Sequence, residues 1–286
     1  ARQSSRAIRL RADGIITVFP QLAAAAGGLK LARRDRRPLV AWLFNTEGLD
    51  TTVRRLMARQ ALRGVDRFVV HSTAEIEGYS RTLDLPSERF VFVPLQYGAA
   101  VETAAPPGID QPYVFATGSG YRDYATFFAA VEKLGHRTLV LASDRALAGL
   151  RIPANVEILE QISRPEIRRL VRHARVNVVP LTDEGHTAGL VTIVETFRHG
   201  RSLVITRRPG IEDYCREGDT ALTAGLGDAG AMADAIDAMW TDTGLRQRLD
   251  DRAEAFALAN CTDAAAAEHL VRILDAVTDQ PMSTLG

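Results

Sequence analysis

The feature that most constrains this chain is a repeated alternation of short β-branched or aromatic runs with amphipathic helical stretches. Runs at residues 14–19, 38–44, 67–70 and 89–94 read as strands, and helices are predicted over 22–34, 54–63 and 74–83 between them. The alternation restarts after residue 112. Strands are predicted at 113–117, 138–142, 156–159, 176–181 and 202–206, and helices at 124–134, 165–174, 190–199, near 211–216 and at 229–240. Such alternation implies right-handed βαβ crossovers, and so parallel sheets covered by helices. Between these blocks the segment GAAVETAAPPGIDQP, residues 98–112, loses all periodicity and gathers Pro, Gly and Ala, as an exposed connector does. The expected architecture is α/β, with two Rossmann-like domains at 1–100 and 113–286 joined by a 101–112 linker. The last helix is a candidate to pack back on the first domain.

Composition bounds the function classes. The 286 residues are 46% hydrophobic and 24% charged, which suits two ordinary globular domains. Net charge is zero, yet residues 1–100 hold 16 basic against 9 acidic side chains. Without aromatic interleaving, a zinc pattern or heptads, that asymmetry argues against nucleic acid and leaves peripheral contact with an anionic membrane as the expected use of the basic part. Cys215 and Cys261 give neither a disulfide framework nor a metal-ligand spacing, as in a reduced cytoplasmic protein. No apolar run approaches the roughly 20 residues that a bilayer span needs.

In parallel sheets, ligands bind beyond the carboxyl ends of the strands, so the residues that directly follow strands carry the chemistry. Residues 118–123, 182–189 and 207–210 share that rim. In TGSGYRDY, residues 117–124, Gly118, Ser119 and Gly120 leave a strand and Arg122 precedes a helix. Glycines permit close backbone approach to phosphate, a helix N-terminus offers unpaired N–H groups, and Arg adds a bidentate fork, which together make a diphosphate cradle. In PLTDEGHTAGLVTIVETFRHGRSLVIT, residues 180–206, a strand, a polar loop, a helix start, an inward glutamate and a second strand follow in one order.

That stretch resembles the donor-site signature of the group 1, family 4 retaining glycosyltransferases, G-L-x-x-x-E-A-x-x-x-G-x-x-V-I-x-T, through Gly189, Leu190, Glu195, Gly200, Val204, Ile205 and Thr206. RDYATFFAAV, LVRHARVNVVPL, PGIEDYCREGDTAL and LRQRLDDRAEAFA follow the family's order across residues 113–260. VDRFVVHSTAEIEGY and ERFVFVPLQYG resemble its closing acceptor-domain segments. The resemblance implies a GT-B fold with a cleft between two domains. It also implies transfer, with retention, of a hexosyl group from a UDP- or GDP-sugar to a carbohydrate, lipid-linked or small-molecule acceptor, as in polysaccharide biosynthesis. The setting it implies is the cytoplasm or the inner membrane face. It places the nucleotide sugar at Gly118, Ser119, Gly120, Arg122, His186, Thr187, Ala188, Gly189, Leu190, Val191 and Glu195, with Glu195 accepting from the ribose hydroxyls and Arg122 standing where the family has a diphosphate-neutralising Lys.

Helical geometry would put Thr187 about 12 Å from Glu195 on one face. Three departures qualify the resemblance. Thr187 stands where the family has its first glutamate, which leaves Glu184 or His186 as substitutes, so Arg122, Thr187 and Glu184 form the candidate catalytic set. No Arg precedes Arg122 in the glycine loop, so one cation is expected to do the work of two. Nor does the family's opening strand, glycine loop and helix have a counterpart before residue 14, so the first domain is expected to be incomplete. Acceptor-side candidates are Asn45, Thr46 and Glu47 after the second strand, where the family often has His, and His71 after the third. No D-x-D motif occurs, no cofactor is implied, and metal independence is expected. A non-catalytic nucleotide-sugar-binding protein and a GT-B-like epimerase remain open as alternatives.

Overall fold

Short parallel strands, each followed by a helix, organise the chain in the computed structural model, which describes residues 3–4, 12–45, 51–98, 104–183 and 187–278. The first unit comprises Ala1–Pro94 and Ala266–Gly286. Its strands β1 (Ile15–Thr17), β2 (Leu39–Ala41), β3 (Arg67–Val70) and β4 (Phe90–Phe92) pair in parallel in chain order. The helices between them are α1 (Pro20–Arg33), α2 (Thr52–Leu62) and α3 (Ile76–Leu83), the last preceded by a 3-10 turn at Thr73–Glu75. Successive side chains on a strand point to opposite faces, and the two faces are buried separately. Leu39, Ala41, Phe68, Val70 and Phe90 pack with Ala23 and Ala26 of α1, Leu62 of α2 and Leu83 of α3. Val40, Trp42, Val69 and Val93 pack against Ala266, Leu270 and Ile273.

The second unit, Leu95–Ala265, contains a parallel sheet of β5 (Val114–Thr117), β6 (Thr138–Leu141), β7 (Val156–Ile158), β8 (Val176–Val179), β9 (Leu203–Thr206) and β10 (Ala221–Ala224) in the order β10-β9-β8-β5-β6-β7. Its helices are α4 (Tyr124–Leu134), a single turn α5 (Asp144–Leu147), α6 (Arg164–His173), α7 (Leu190–Arg198), α8 (Ala229–Thr241) and α9 (Thr243–Asn260). The last helix, α10 (Asp263–Thr278), supplies the residues that cover the second face of the first unit's sheet. Side-chain caps fix where several helices begin. Asp123 accepts from Thr126 N at 3.0 Å, Asp228 from Ala231 N at 2.8 Å and Asp242 from Leu245 N at 2.8 Å, while Ser163 N donates to Glu166 at 2.9 Å. Val114, Ala116, Val140, Val178 and Val204 form one buried face with Phe127, Phe128 and Met232. Phe115 and Leu139 form the other with Leu170 and Val171 of α6.

Two local expectations fail. The segment near 211–216 is a series of turns, closed by Tyr214 N and Cys215 N donating to Ile211 O, and not a helix. Strand β10 follows it unpredicted, because the run Ala-Leu-Thr-Ala has little of the β-branched bulk that marks a strand. The chain enters the second unit ahead of the 101–112 connector. Leu95 N donates to the Tyr214 hydroxyl at 2.9 Å and Tyr97 N to Cys261 O at 2.9 Å, both within that unit. Residues 101–103 lie outside the described residues.

Candidate functional site

In the second sheet, β5 is flanked by β6 on one side and β8 on the other, so the chain reverses its direction of winding between β5 and β8. A crevice beyond the carboxyl ends of two such strands is where a doubly wound sheet binds ligands. The loops that leave β5 and β8 meet there. Asp123 N donates to Pro180 O at 3.1 Å, Thr182 N to Tyr121 O at 3.1 Å, and Arg122 forms a bridge with Leu181. The β9 end is tied in as well, since Leu181 N donates to Thr206 Oγ1 at 2.9 Å.

Each residue of the glycine loop has a definite task. Gly118 adopts φ +116°, and a Cβ there would lie 2.5 Å from Arg122 Nη2, so only glycine leaves room for the guanidinium to fold over the loop. The Gly118 carbonyl accepts from the buried Tyr124 hydroxyl at 2.6 Å, and Ser119 Oγ accepts from Ser143 N at 2.9 Å. Arg122 donates to Thr117 O at 3.3 Å, to Gly120 O at 2.9 Å and to Thr192 Oγ1 at 3.2 Å. All three acceptors are neutral. Arg122 therefore has no ion pair among the described residues, and the neighbouring Asp123 spends its carboxylate capping α4.

A second guanidinium reaches this crevice from a different strand. Arg208 follows β9, is only 3% exposed, and donates through Nη1 to Thr182 O at 2.9 Å. Burial pushes Arg122 below its ordinary pKa, and the nearby positive charge of Arg208 acts in the same direction. Burial also lowers Arg208, against the pull of Asp183. Both groups stay protonated at neutral pH, so the shifts express an electrostatic cost that an anion between them would relieve. The sequence pattern did not flag Arg208, because an Arg pair after a strand looks like solvated loop.

Thr187, Ala188 and Gly189 form a turn outside the helix, and α7 starts at Leu190. The expected alignment of Thr187 and Glu195 on one helical face does not arise. Gly189 breaks the path at φ +89°, with its would-be Cβ 3.2 Å from Val179 Cγ1 and 3.3 Å from Leu181 Cδ2. Leu190 is buried and Val191 is exposed. Glu184 and His186 lie outside the described residues. Six residues beyond Gly189, about 9 Å along the axis, Glu195 is held by groups that the pattern missed. Tyr97 donates its hydroxyl to Glu195 Oε1 at 2.5 Å, and Arg168 Nε of α6 lies 3.8 Å from the same oxygen. Burial, then the bond to Glu195, raises the Tyr97 pKa, so the phenol stays a donor. This arrangement is suited to a ligand with a dianion at one end and hydroxyls at the other.

The first unit keeps its own strand-end candidates. Asn45 follows β2 and accepts from the Tyr79 hydroxyl at 3.4 Å, while Tyr79 also reaches Glu75 Oε1 at 2.8 Å. His71 follows β3, buried, with Nδ1 2.8 Å from Val93 O, and burial lowers its pKa. Thr46 and Glu47 lie outside the described residues. Among the described residues, no three His, Cys, Asp or Glu side chains gather to hold a metal ion, and no helix is long and apolar enough to cross a membrane.

The family model described as glycosyl transferases group 1 matches residues 112–242, the span that contains the whole crevice. Sucrose-phosphate synthase from Thermosynechococcus elongatus superposes with a TM-score of 0.74 at 18% identity, covering 96% of this chain and 76% of that one. HepE from Anabaena, solved with UDP and glucose, superposes at 0.76 and 13% identity, covering 96% and 82%. The lipopolysaccharide outer core galactosyltransferase WaaB superposes at 0.70 and 11% identity, covering 96% and 78%. No curated protein matches the sequence. With two parallel Rossmann-like sheets of the kind found in GT-B glycosyltransferases, and a crevice that lies wholly inside the matched span, the chain belongs through residues 112–242 to the group 1 glycosyl transferases.

Proposed function

We propose that the crevice binds a UDP- or GDP-sugar and that the protein transfers its hexosyl group, with retention, to a carbohydrate or lipid-linked acceptor. The observation that carries this reading is the placement of two desolvated guanidiniums, Arg122 and Arg208, at the switch point of the second sheet, with no carboxylate paired to Arg122 among the described residues. A diphosphate is the anion that fits. Arg122 binds the diphosphate and, with the N–H groups at the start of α7, takes up negative charge as the glycosidic bond breaks. Glu195, fixed by Tyr97 and Arg168 through Oε1, accepts from the ribose hydroxyls through Oε2. Solved complexes of HepE with UDP, UDP-glucose, and UDP with glucose support the donor class. Asn45, Thr46, Glu47 and His71 are assigned to the acceptor side. No metal is required in this scheme.

Incubation with a panel of UDP- and GDP-sugars tests the proposal. UDP or GDP released on addition of an acceptor, with the anomeric configuration of the product unchanged by proton NMR, is the expected outcome. Epimer formed without nucleotide release would make the protein an epimerase, and tight binding without turnover would make it a binding protein.

A further inference from the structure

The α1–α2 face of the first unit carries an unusual surface. Helix α2 is anchored through Leu62, its one fully buried side chain, while Val53 is 66% exposed, Leu56 53% and Met57 69%. These three lie at i, i+3 and i+4, so they form one stripe on the helix. Leu31 of α1 is exposed beside them, and with Gly28, Leu56, Met57, Gln60 and Ala61 it lines an open apolar groove. The groove is shallow because the two helices approach very closely. Gly27 and Gly64 leave no room for a side chain, and a Cβ on Gly27 would lie 2.3 Å from Ala61 O.

The charge around this stripe has a single sign. Neither α1 nor α2 contains an Asp or Glu. Arg33 and Arg34 at the end of α1 and Arg54 at the start of α2 are exposed and have no acidic partner among the described residues. The nearby Asp35 is neutralised by Arg37 at 2.6 Å. A monomer does not usually leave large apolar side chains together on its surface unless something covers them. A partner protein and a bilayer both present apolar area. Only the bilayer combines a flat apolar layer with a continuous sheet of negative charge.

We propose that the α1–α2 face docks on an anionic lipid bilayer, with Leu31, Val53, Leu56 and Met57 entering the headgroup–acyl boundary and Arg33, Arg34 and Arg54 meeting lipid phosphates. The geometry is that of an interfacial amphipathic helix, in which buried apolar area and electrostatic attraction act together. This inference does not depend on the donor site and survives its failure.

The test is sedimentation of the full chain with vesicles of phosphatidylcholine alone and with phosphatidylglycerol added. Binding is expected only to the anionic vesicles, and it should fall steeply as NaCl rises from 0.1 to 0.5 M. The double variant Leu56→Glu/Met57→Glu should lose binding by about tenfold or more, with an unchanged urea midpoint and unchanged UDP affinity. The triple variant Arg33→Gln/Arg34→Gln/Arg54→Gln should lose the preference for anionic vesicles. Failure of the wild-type chain to bind anionic vesicles, or binding that both variants retain, overturns the proposal. A concentration-dependent dimer that Met57→Glu abolishes, without vesicle binding, assigns the face to a second copy and overturns it equally.

Discussion

Arg122 and Arg208 show how differently two residues with the same chemistry present themselves in a sequence. Arg122 follows a strand, two glycines and a tight turn, and every one of those signals is local. Arg208 is 86 positions away and becomes visible only when the order β9-β8-β5 brings the ends of β9 and β5 to one crevice. Replacing Arg208 by Gln removes a buried charge that a diphosphate would otherwise pair. UDP or GDP binding should weaken by about 1–3 kcal/mol, while uridine or guanosine affinity changes far less; equal losses for nucleotide and nucleoside would show that Arg208 only supports the loop. At the other end of the crevice, the Tyr97 hydroxyl fixes one oxygen of Glu195. Glu195→Ala should weaken nucleotide binding by about 1–3 kcal/mol and Tyr97→Phe by about 1 kcal/mol. Titration calorimetry on both variants decides it, and unchanged affinity in a folded Glu195→Ala would remove the ribose contact. Glu195 was legible from the signature. Tyr97 and Arg168 were not, because no spacing rule links residues 98 and 27 positions away.

Among the elements, the pairing of α1 with α2 separates two adjacent glycines that sequence reading treats alike. A methyl group on Gly27 collides with the Ala61 carbonyl, whereas on Gly28 its nearest neighbour is Ala61 Cβ at 3.9 Å. Gly27→Ala should therefore destabilise the first unit by about 1–3 kcal/mol through overpacking. Gly28→Ala should stabilise it by up to about 1 kcal/mol, because alanine loses less backbone entropy in a helix. Urea denaturation of the two variants should move in opposite directions, and movement in the same direction would mean that the close helix approach is wrong. The strands rich in Val, Ile and Phe announced themselves, as did helices with a cap and an apolar stripe. Strand β10 and the turns at 211–216 did not. β10 is a strand because it extends the β9 edge in parallel register from Ala221 opposite Leu203, a tertiary reason that Ala-Leu-Thr-Ala does not express by itself.

For the whole molecule, the two units unfold on their own terms, and the C-terminal helix joins the fate of the first. Val40, Trp42, Val69 and Val93 alternate with residues that face α1, α2 and α3, so the sequence already implied a second face needing cover, though not what covers it. Acid should act most sharply on the second unit, through His199. This side chain follows α7, is 2% exposed, and has no hydrogen-bond partner at Nε2 among the described residues. Burial, reinforced by the positive charges of Arg168, Arg172 and Arg198, pushes its pKa down to about 4 from 6.5. The folded state thus binds fewer protons than the unfolded chain between those two values, so stability is fully present above pH 6.5 and is lost as pH falls toward 4. Against wild type, His199→Gln should reduce the loss of second-unit stability between pH 7 and pH 4.5 by about 1–3 kcal/mol. Its stability at pH 7 is free to shift by a constant offset, since the prediction concerns the slope. Urea melts at several pH values resolve the two transitions, and parallel pH profiles for wild type and variant would show that His199 is already protonated in the folded protein.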